Sequence, residues 1–364
     1  MKRVIIILDK FSGNDIKFKV FLGFDGFIDK IYKPIKTKTS DITIPFRTMT
    51  EFSRYFGEKS DKSCSIDLEA MQEKIGGNMP IVANALANLG CEAICLGAMG
   101  YPEIEPMFTN MNPNCTLISV TNPGYCYALE FEDSKLMLAT NTHIDSLNYQ
   151  KIIDSVSEVS LIKYFEQCDA FAFLNWGELI NSNDIWENIL RRIIPQCKFD
   201  SKKLMLIDFS DFSKRESYDV QKMLELLEGF SEIFDITVSV NENEFGLLVE
   251  KLDLGQYEDR SDIQLTVLAD RLKCKNFVLH LLDTTKYVRD CQVYSQEKEV
   301  IKEPRIITGG GDNFNAGLLF GLLIGLDIEN AIRVGAGLSS LYVRDAENVS
   351  FHKLKNYLLE GDVL

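Results

Sequence analysis

Residues 308–317 read TGGGDNFNAG: three consecutive glycines, Gly309, Gly310 and Gly311, stand directly before Asp312 and an apolar, helix-like run. Glycine loses more backbone freedom on folding than any other residue, so such a run marks a tight left-handed turn or a ligand lying against the main chain. Two readings of Asp312 follow. It can be an ordinary N-cap, accepting a bond from the first free amides of the helix. Alternatively, a glycine turn that opens a helix leaves several amides unpaired at the positive end of the dipole, and such a turn is a site for an anion.

Two familiar phosphate-binding patterns are excluded. The chain has no Gly-Lys dipeptide and therefore no Walker A loop. GGGDNF also fails GxGxxG, because Phe314 stands where the third glycine belongs and the loop lies near the C-terminus rather than after a first strand. A nicotinamide dehydrogenase is not expected.

Outward from this stretch, strand-like apolar runs alternate with helix-like segments, which predicts an α/β layered fold with a mainly parallel central sheet. Core strands are expected at Val20–Phe24, Ala93–Gly97, Leu117–Val120, Phe171–Leu174, Leu204–Ile207, Ile236–Val240 and Phe277–Leu281. Helices are expected at Pro80–Leu89, Tyr149–Phe165, Asp184–Ile194, Val220–Phe230, Glu242–Glu250, Asp262–Lys273, Asp312–Leu326, Ile328–Val343 and His352–Leu359. Two stretches alternate with period two instead: CSIDLEA, and YCYALEFEDSKLMLAT with a turn at Glu132–Lys135, which reads as a hairpin. Together they predict a small β lid inserted into one α/β domain spanning 1–364, formed by roughly 34–40, 63–75 and 124–140.

Ligands in open α/β sheets bind outside the carboxyl ends of strands. Asp25, Asn175, Asp208 and Asn241 each follow an expected strand. Any one of them is more often a turn former or cap, but four at one rim predict a cleft. Gly76, Gly77 and Asn78 open IGGNMPIVANALANLG, where a turn, a cap and Pro80 in a first helical turn would suffice. In NENE, Asn241 to Glu244, acids in a first helical turn are ordinary partners of the dipole.

Taken in order, these pieces resemble the ribokinase family, the PfkB carbohydrate kinases. TGGGDNFNAG is similar to its C-terminal signature, GGNMPIVANALANLG to its N-terminal glycine signature, VNENE to its NxxE magnesium motif, and GFDGFIDK, Gly23 to Lys30, to its opening strand with a substrate-binding Asp. The resemblance implies a ribokinase-like three-layer fold and an ATP- and Mg²⁺-dependent kinase for a hydroxyl of a small neutral sugar or polyol. Asp312 would be the base and Gly309, Gly310 and Gly311 an anion hole. Asp29, Gly76, Gly77 and Asn78, with Asp25 and Asn175, would hold the acceptor. Asn241, Glu244 and Thr308 would serve the nucleotide, with Glu244 reaching the metal through water. The alternatives are a nucleoside kinase, for which Tyr125, Tyr127 or Phe131 in the lid would stack on a base, and a catalytically silent sugar-binding regulator.

Departures from the family pattern carry their own expectations. Ile306 and Ile307 stand where an Asp-Thr pair usually helps build a monovalent-cation site, so potassium activation is not expected. Ile81 replaces an Asn often found after the N-terminal glycine pair. The nucleotide segment TxGxxG is replaced by VLHLLDTTKYV, without glycine.

The 364 residues carry 54 acidic against 39 basic side chains, a formal net charge of -15, which repels nucleic acid and anionic membrane alike. Nine scattered cysteines without a CxxC pair suggest neither a disulfide framework nor a zinc site and fit a reducing cytoplasm. Val4–Leu8 is too short for a signal peptide's apolar core and reads as a short amphipathic helix. Ala316–Leu326 is too short to span a bilayer. A soluble protein is expected, with the lid a candidate surface for a homodimer. Lys30 is the only cation near the proposed acceptor motifs, which favours a neutral sugar over a sugar phosphate.

Overall fold

The computed structural model describes residues 8, 11, 16–258 and 260–360. The short helix expected at Val4–Leu8 lies, apart from Leu8, outside them. β1 (Lys19–Phe24), β5 (Glu92–Ala98), β6 (Cys115–Thr121), β9 (Ala170–Phe173), β10 (Lys203–Ile207), β11 (Phe234–Val240) and β12 (Asn276–His280) run parallel in the order β12-β11-β10-β9-β1-β5-β6. These are the seven strands expected from the apolar runs.

The pleat divides the core. Phe21, Phe171 and Phe173 point to one face, where they pack with Phe165, Trp186, Phe230 and Phe234 under α3 (Tyr149–Val156), α4 (Glu158–Glu166), α5 (Ser182–Asn188), α6 (Ser217–Ser231), α7 (Glu242–Lys251) and α8 (Asp262–Arg271). Val20, Leu22, Ala170, Ala172 and Leu206 point to the other, under α2 (Asn78–Asn88), α9 (Gly310–Leu323), α10 (Ile328–Asp345) and α11 (Phe351–Glu360). The small side chains Ala170 and Ala172 lie on the face that carries α9, which is buried along most of its length. Glycines then allow α9 and α10 to touch: a Cβ on Gly317 would lie 2.8 Å from the Gly335 Cα.

Three differences from the expected elements have local causes. The segment expected as one helix from Tyr149 to Phe165 is two, broken at Ser157, whose φ of 62° is left-handed and whose hydroxyl caps the second helix. The helix expected to reach Ile194 ends at Asn188 and passes into a π turn at Ile189–Ile193. An antiparallel hairpin, β13 (Thr284–Arg289) and β14 (Gln292–Glu297), extends the β12 edge of the sheet. Its tip, Asp290 and Cys291, has φ of 52° and 58°, the signs of a type I′ turn, in a pair that lacks the usual Asn-Gly signal.

A second sheet forms the lid. β2 (Phe27–Lys38) lies between β4 (Asp67–Gly76) and β7 (Gly124–Glu130), β8 (Lys135–Thr140) adds outside β7, and β3 (Thr43–Pro45) pairs with the far end of β2. The expected segments 34–40 and 63–75 therefore need correction. The first strand begins at Phe27, masked in sequence by its lysines and Pro34, and the last begins at Asp67, so the alternation of Cys64 and Ile66 precedes the paired region. Helix α1 (Met49–Gly57) packs Phe52 against Phe46 and Leu129 beneath this sheet. Register gives the lid two distinct faces. Asp29, Lys74, Cys126 and Ala139 share one; Lys30, Glu73, Tyr127 and Leu138 share the other.

Candidate active site

Strand β1 ends at Phe24, and the next residue, Asp25, is fully buried. Its Oδ2 accepts the Asn78 amide at 2.7 Å and the Asn175 side-chain amide at 2.8 Å, while Oδ1 accepts the Met79 amide at 2.8 Å. The two backbone amides are first-turn donors of α2, whose N-cap Gly77 has no side chain to supply. Burial pushes the Asp25 carboxyl up to about 6, against the pull of these three donors. Asp25 and Asn175, expected to hold the acceptor, are bonded to each other, and Asp25 also holds the start of α2. Gly76 and Gly77 make room for carboxylates: an added Cβ would meet Asp29 Oδ1 at 2.2 Å or Asp25 Oδ2 at 2.8 Å.

Helix α9 starts after Gly309, whose φ is 92°, with no side-chain cap. Asp312 is therefore not the N-cap. It sits in the first turn, and its Oδ1 is out of solvent with no hydrogen-bond partner among the described residues. The Gly310 amide closes a turn onto the Ile307 carbonyl at 3.2 Å. Those of Gly311 and Asp312 are first-turn amides with no carbonyl to reach within the helix. Of the three glycines, Gly309 is favoured by its left-handed backbone, and Gly310 sits tightly against Val343 Cγ2, 3.0 Å from an added Cβ. Gly311 is not so confined: its nearest neighbour, His280 Cε1, would be at an ordinary 3.6 Å.

Around Asp312 the structure gathers acids from distant elements. Burial, then the charges of Asp208, Asp25 and Asp29, hold the Asp312 carboxyl well above the usual range. Burial likewise pushes Asp208 up to about 6, and Glu244 well above its ordinary value, the latter with help from Asp208 and Asp312. Asp208 accepts the amide of Ser210 and the side-chain amides of Asn78 and Asn315. Glu244 and Asn241 form a capping box at the start of α7, which occupies both Glu244 oxygens. No cluster of three or more His, Cys, Asp or Glu able to hold a metal ion occurs among the described residues. The crowded carboxyls of Asp208, Glu244 and Asp312 fit a cation carried in on a ligand's oxygens.

The lid supplies what the sequence reading lacked. Asp29, in its buried face, is raised by burial and lowered by Lys74 and Lys135. Lys135 pairs with Glu130 at 2.7 Å and donates to the Thr308 hydroxyl at 3.4 Å, so Thr308 faces the lid. Lys74, pushed down by burial, is within electrostatic reach of Asp29 and Asp312. Lys30 is not a cation of this pocket: it lies on the opposite face, paired with Glu73 at 3.3 Å and over the Tyr125 ring. Tyr127 stacks on Tyr32 on that same face, and Phe131 packs on Phe52. None of the three aromatic residues offered for base stacking faces Asp312. Lys74 and Lys135 escaped notice because lysine in a half-exposed strand reads as a solvated face.

Beside the glycine turn lies a cavity of about 750 Å³, whose lining includes Gly310, Gly311, Asn241, His280, Lys298 and Ile307. Its size falls in the range of small-ligand pockets. Leu282 and Ile307 at its rim are 77% and 68% exposed, apolar surface that a ligand would cover.

A three-layer body with a strand lid over the carboxyl ends of its central strands is the ribokinase-like fold. Solved structures agree: adenosine kinase from Sinorhizobium meliloti superposes with a TM-score of 0.64 at 17% identity, covering 94% of this chain and 99% of that one. Arabidopsis thaliana ribokinase, complexed with ribose and ATP, gives 0.64 at 12% identity, with 94% and 99% covered. The chain belongs to the prokaryotic ketohexokinase family, whose model matches residues 10–360. The ketohexokinase of Haloferax volcanii is 24% identical over 349 residues, 93% of this chain and 90% of that protein. The protein is accordingly a phosphotransferase with an alcohol acceptor, a sugar kinase, and the silent-regulator alternative is set aside.

Proposed function

We propose that the protein transfers the γ-phosphoryl group of ATP to a hydroxyl of a neutral ketohexose. The observation that carries this reading is Asp312: a carboxylate oxygen, buried and unpartnered, at the mouth of a helix whose first amides are free. Asp312 takes the proton from the acceptor hydroxyl. The amides of Gly309, Gly311 and Asp312 receive charge on the transferring group, with Gly310 shaping the turn. The raised carboxyls of Asp208, Glu244 and Asp312 favour a positive group arriving with the donor, and Mg²⁺ supplies that charge when bound. Asn241 and Glu244 would hold its water.

Asp29 and Asn78 meet the acceptor's hydroxyls, with Asp25, Asn175, Gly76 and Gly77 positioning them. The lid lysines do not turn this into a phosphate pocket, because Asp29 and Glu130 accompany Lys74 and Lys135. A neutral, hydroxyl-rich acceptor matches that pairing. The relatives support the same class: one is a ketohexokinase, and a ribokinase with ribose and ATP shares the fold. A nucleoside acceptor is disfavoured by aromatic rings that lie on the lid's other face.

The whole chain 1–364 is read as one domain with the lid as its discontinuous part. The lid's outer face and edges expose Tyr127, Leu138, Leu68 and Ile44, which supports a homodimer through the lid. Sedimentation at micromolar concentration should give twice the monomer mass. No helix among the described residues is long and apolar enough to cross a membrane, and a cytoplasmic location is proposed. The deciding experiment is a phosphorylation screen with ATP and Mg²⁺ over ketohexoses, aldohexoses, nucleosides and sugar phosphates. Turnover of ketohexoses above the rest is expected; turnover of phosphorylated sugars alone would overturn the reading.

A further inference from the structure

We propose that His280 and Lys298 form a clamp for the polyphosphate tail of the nucleotide, beside the free amides of the glycine turn in the shared cavity. This rests on reading that cavity as the nucleotide site. His280 is the last residue of β12, at the carboxyl edge of the sheet, and Lys298 follows β14 directly. Both line the cavity together with Gly310 and Gly311.

The placement is built rather than incidental. The His280 ring lies against Phe314, with centroids 5.0 Å apart and planes 36° apart, and Phe314 is a buried residue of α9. Its Cε1 is the atom nearest the missing Cβ of Gly311, at 3.6 Å. The imidazole is thus fixed beside the unpaired first-turn amides. The Lys298 amide donates to the Asp283 carbonyl at 2.9 Å, anchoring the base of its side chain at the cavity wall. Neither ring nitrogen of His280, nor Nζ of Lys298, has a hydrogen-bond partner among the described residues.

Both side chains lack a hydrogen-bond partner among the described residues; burial lowers both, Lys298 lowers His280 further and the Asp283 charge partly offsets the burial of Lys298, and together they describe a wall able to receive negative charge. The need is acute in a chain of net charge -15, whose cavity wall also carries Glu242 and Glu299. A chain of phosphates lying along the glycine turn would receive its free amides and, beside them, His280 and Lys298. Side chains would then perform the gripping that the absent glycines of VLHLLDTTKYV leave undone.

Calorimetric titration of the full-length protein with ADP and with adenosine tests this, using Lys298→Met, His280→Ala and His280→Gln. The expected result is that Lys298→Met and His280→Ala weaken ADP by about 10- to 100-fold, the range for losing a charge-assisted hydrogen bond. Adenosine affinity should stay within about twofold, and His280→Gln, which keeps a donor, should fall between. Unchanged ADP affinity in a folded Lys298→Met would overturn the clamp, and so would an equal loss for adenosine, which would indicate altered cavity shape. Failure of the unmutated protein to bind ADP at all would overturn the nucleotide reading and the clamp with it.

Discussion

At the scale of single residues, Asp312 and Gly311 separate chemistry from architecture. Asp312→Asn keeps size and removes the basic oxygen, and because Asp312 is not the N-cap, folding has little to lose. Turnover should fall by about 10² to 10⁴ with sugar binding retained, measured by steady-state kinetics and calorimetry. The pH profile follows from the same environment. Only the carboxylate accepts a proton, and its pKa is raised, so the acidic limb of kcat/KM should lie above the ordinary carboxylate range and be absent from the residual activity of the variant. Gly311→Ala inverts the usual pattern of damage. Its backbone is helical and an added Cβ meets nothing closer than 3.6 Å. Replacing a helical glycine should therefore raise stability, by about 0.5–1 kcal/mol, while the methyl group obstructs the phosphoryl path. A thermal midpoint that rises as turnover drops would establish that this glycine serves the ligand.

At the scale of elements, the loop before α9 is tied to the end of α10 without an intermediary. The amides of Arg305 and Ile306 both donate to the Val343 carbonyl, at 3.0 and 3.3 Å. Direct bonds here hold the glycine turn in place, as the loss of the Asp-Thr pair anticipates. Activity should be the same in potassium and in tetramethylammonium at equal ionic strength; a severalfold activation by potassium would contradict it. The lid strands show a different kind of information. Their face is set by pleat and register, so Asp29, Lys74 and Lys135 reach the site while Lys30, one residue from Asp29, cannot. A one-residue register slip would exchange the two sets.

At the scale of the whole molecule, the site stores unfavourable electrostatics. Asp208 has a folded pKa of about 6 against 3.8 in the unfolded chain, so between those values the folded form binds more protons. Its contribution to stability is therefore full below about pH 4 and lost as pH rises through 6. Asp208→Asn removes the penalty, and its new amide can donate to Asn315 Oδ1, a buried acceptor now without a partner. The thermal midpoint of the variant minus that of the parent should become more positive from pH 4 to pH 7. The effect is of order 1–3 kcal/mol at most, and scanning calorimetry at both ends of the range reads it.

Local chemistry made much of this molecule legible in advance. Apolar runs of strand length announce the seven parallel strands because a strand buried on both faces must be apolar throughout. The glycine turn before Asp312 is visible because few other residues accept a left-handed backbone. What could not be read lies in relations between distant segments. Asp25 looks like a ligand residue after its strand, but only the fold brings it under the amides of Asn78 and Met79, 53 and 54 positions away. Lys74, Lys135 and His280 carry no local signature, since a charged or imidazole side chain on a strand is ordinary until its neighbours are known. Sequence determined the layers and the reactive turn through backbone sterics and hydrophobic periodicity. Tertiary structure decided which carboxylates meet backbone amides and which cations lie near the buried acids, because desolvation and charge pairing depend on what else is buried within a few ångströms.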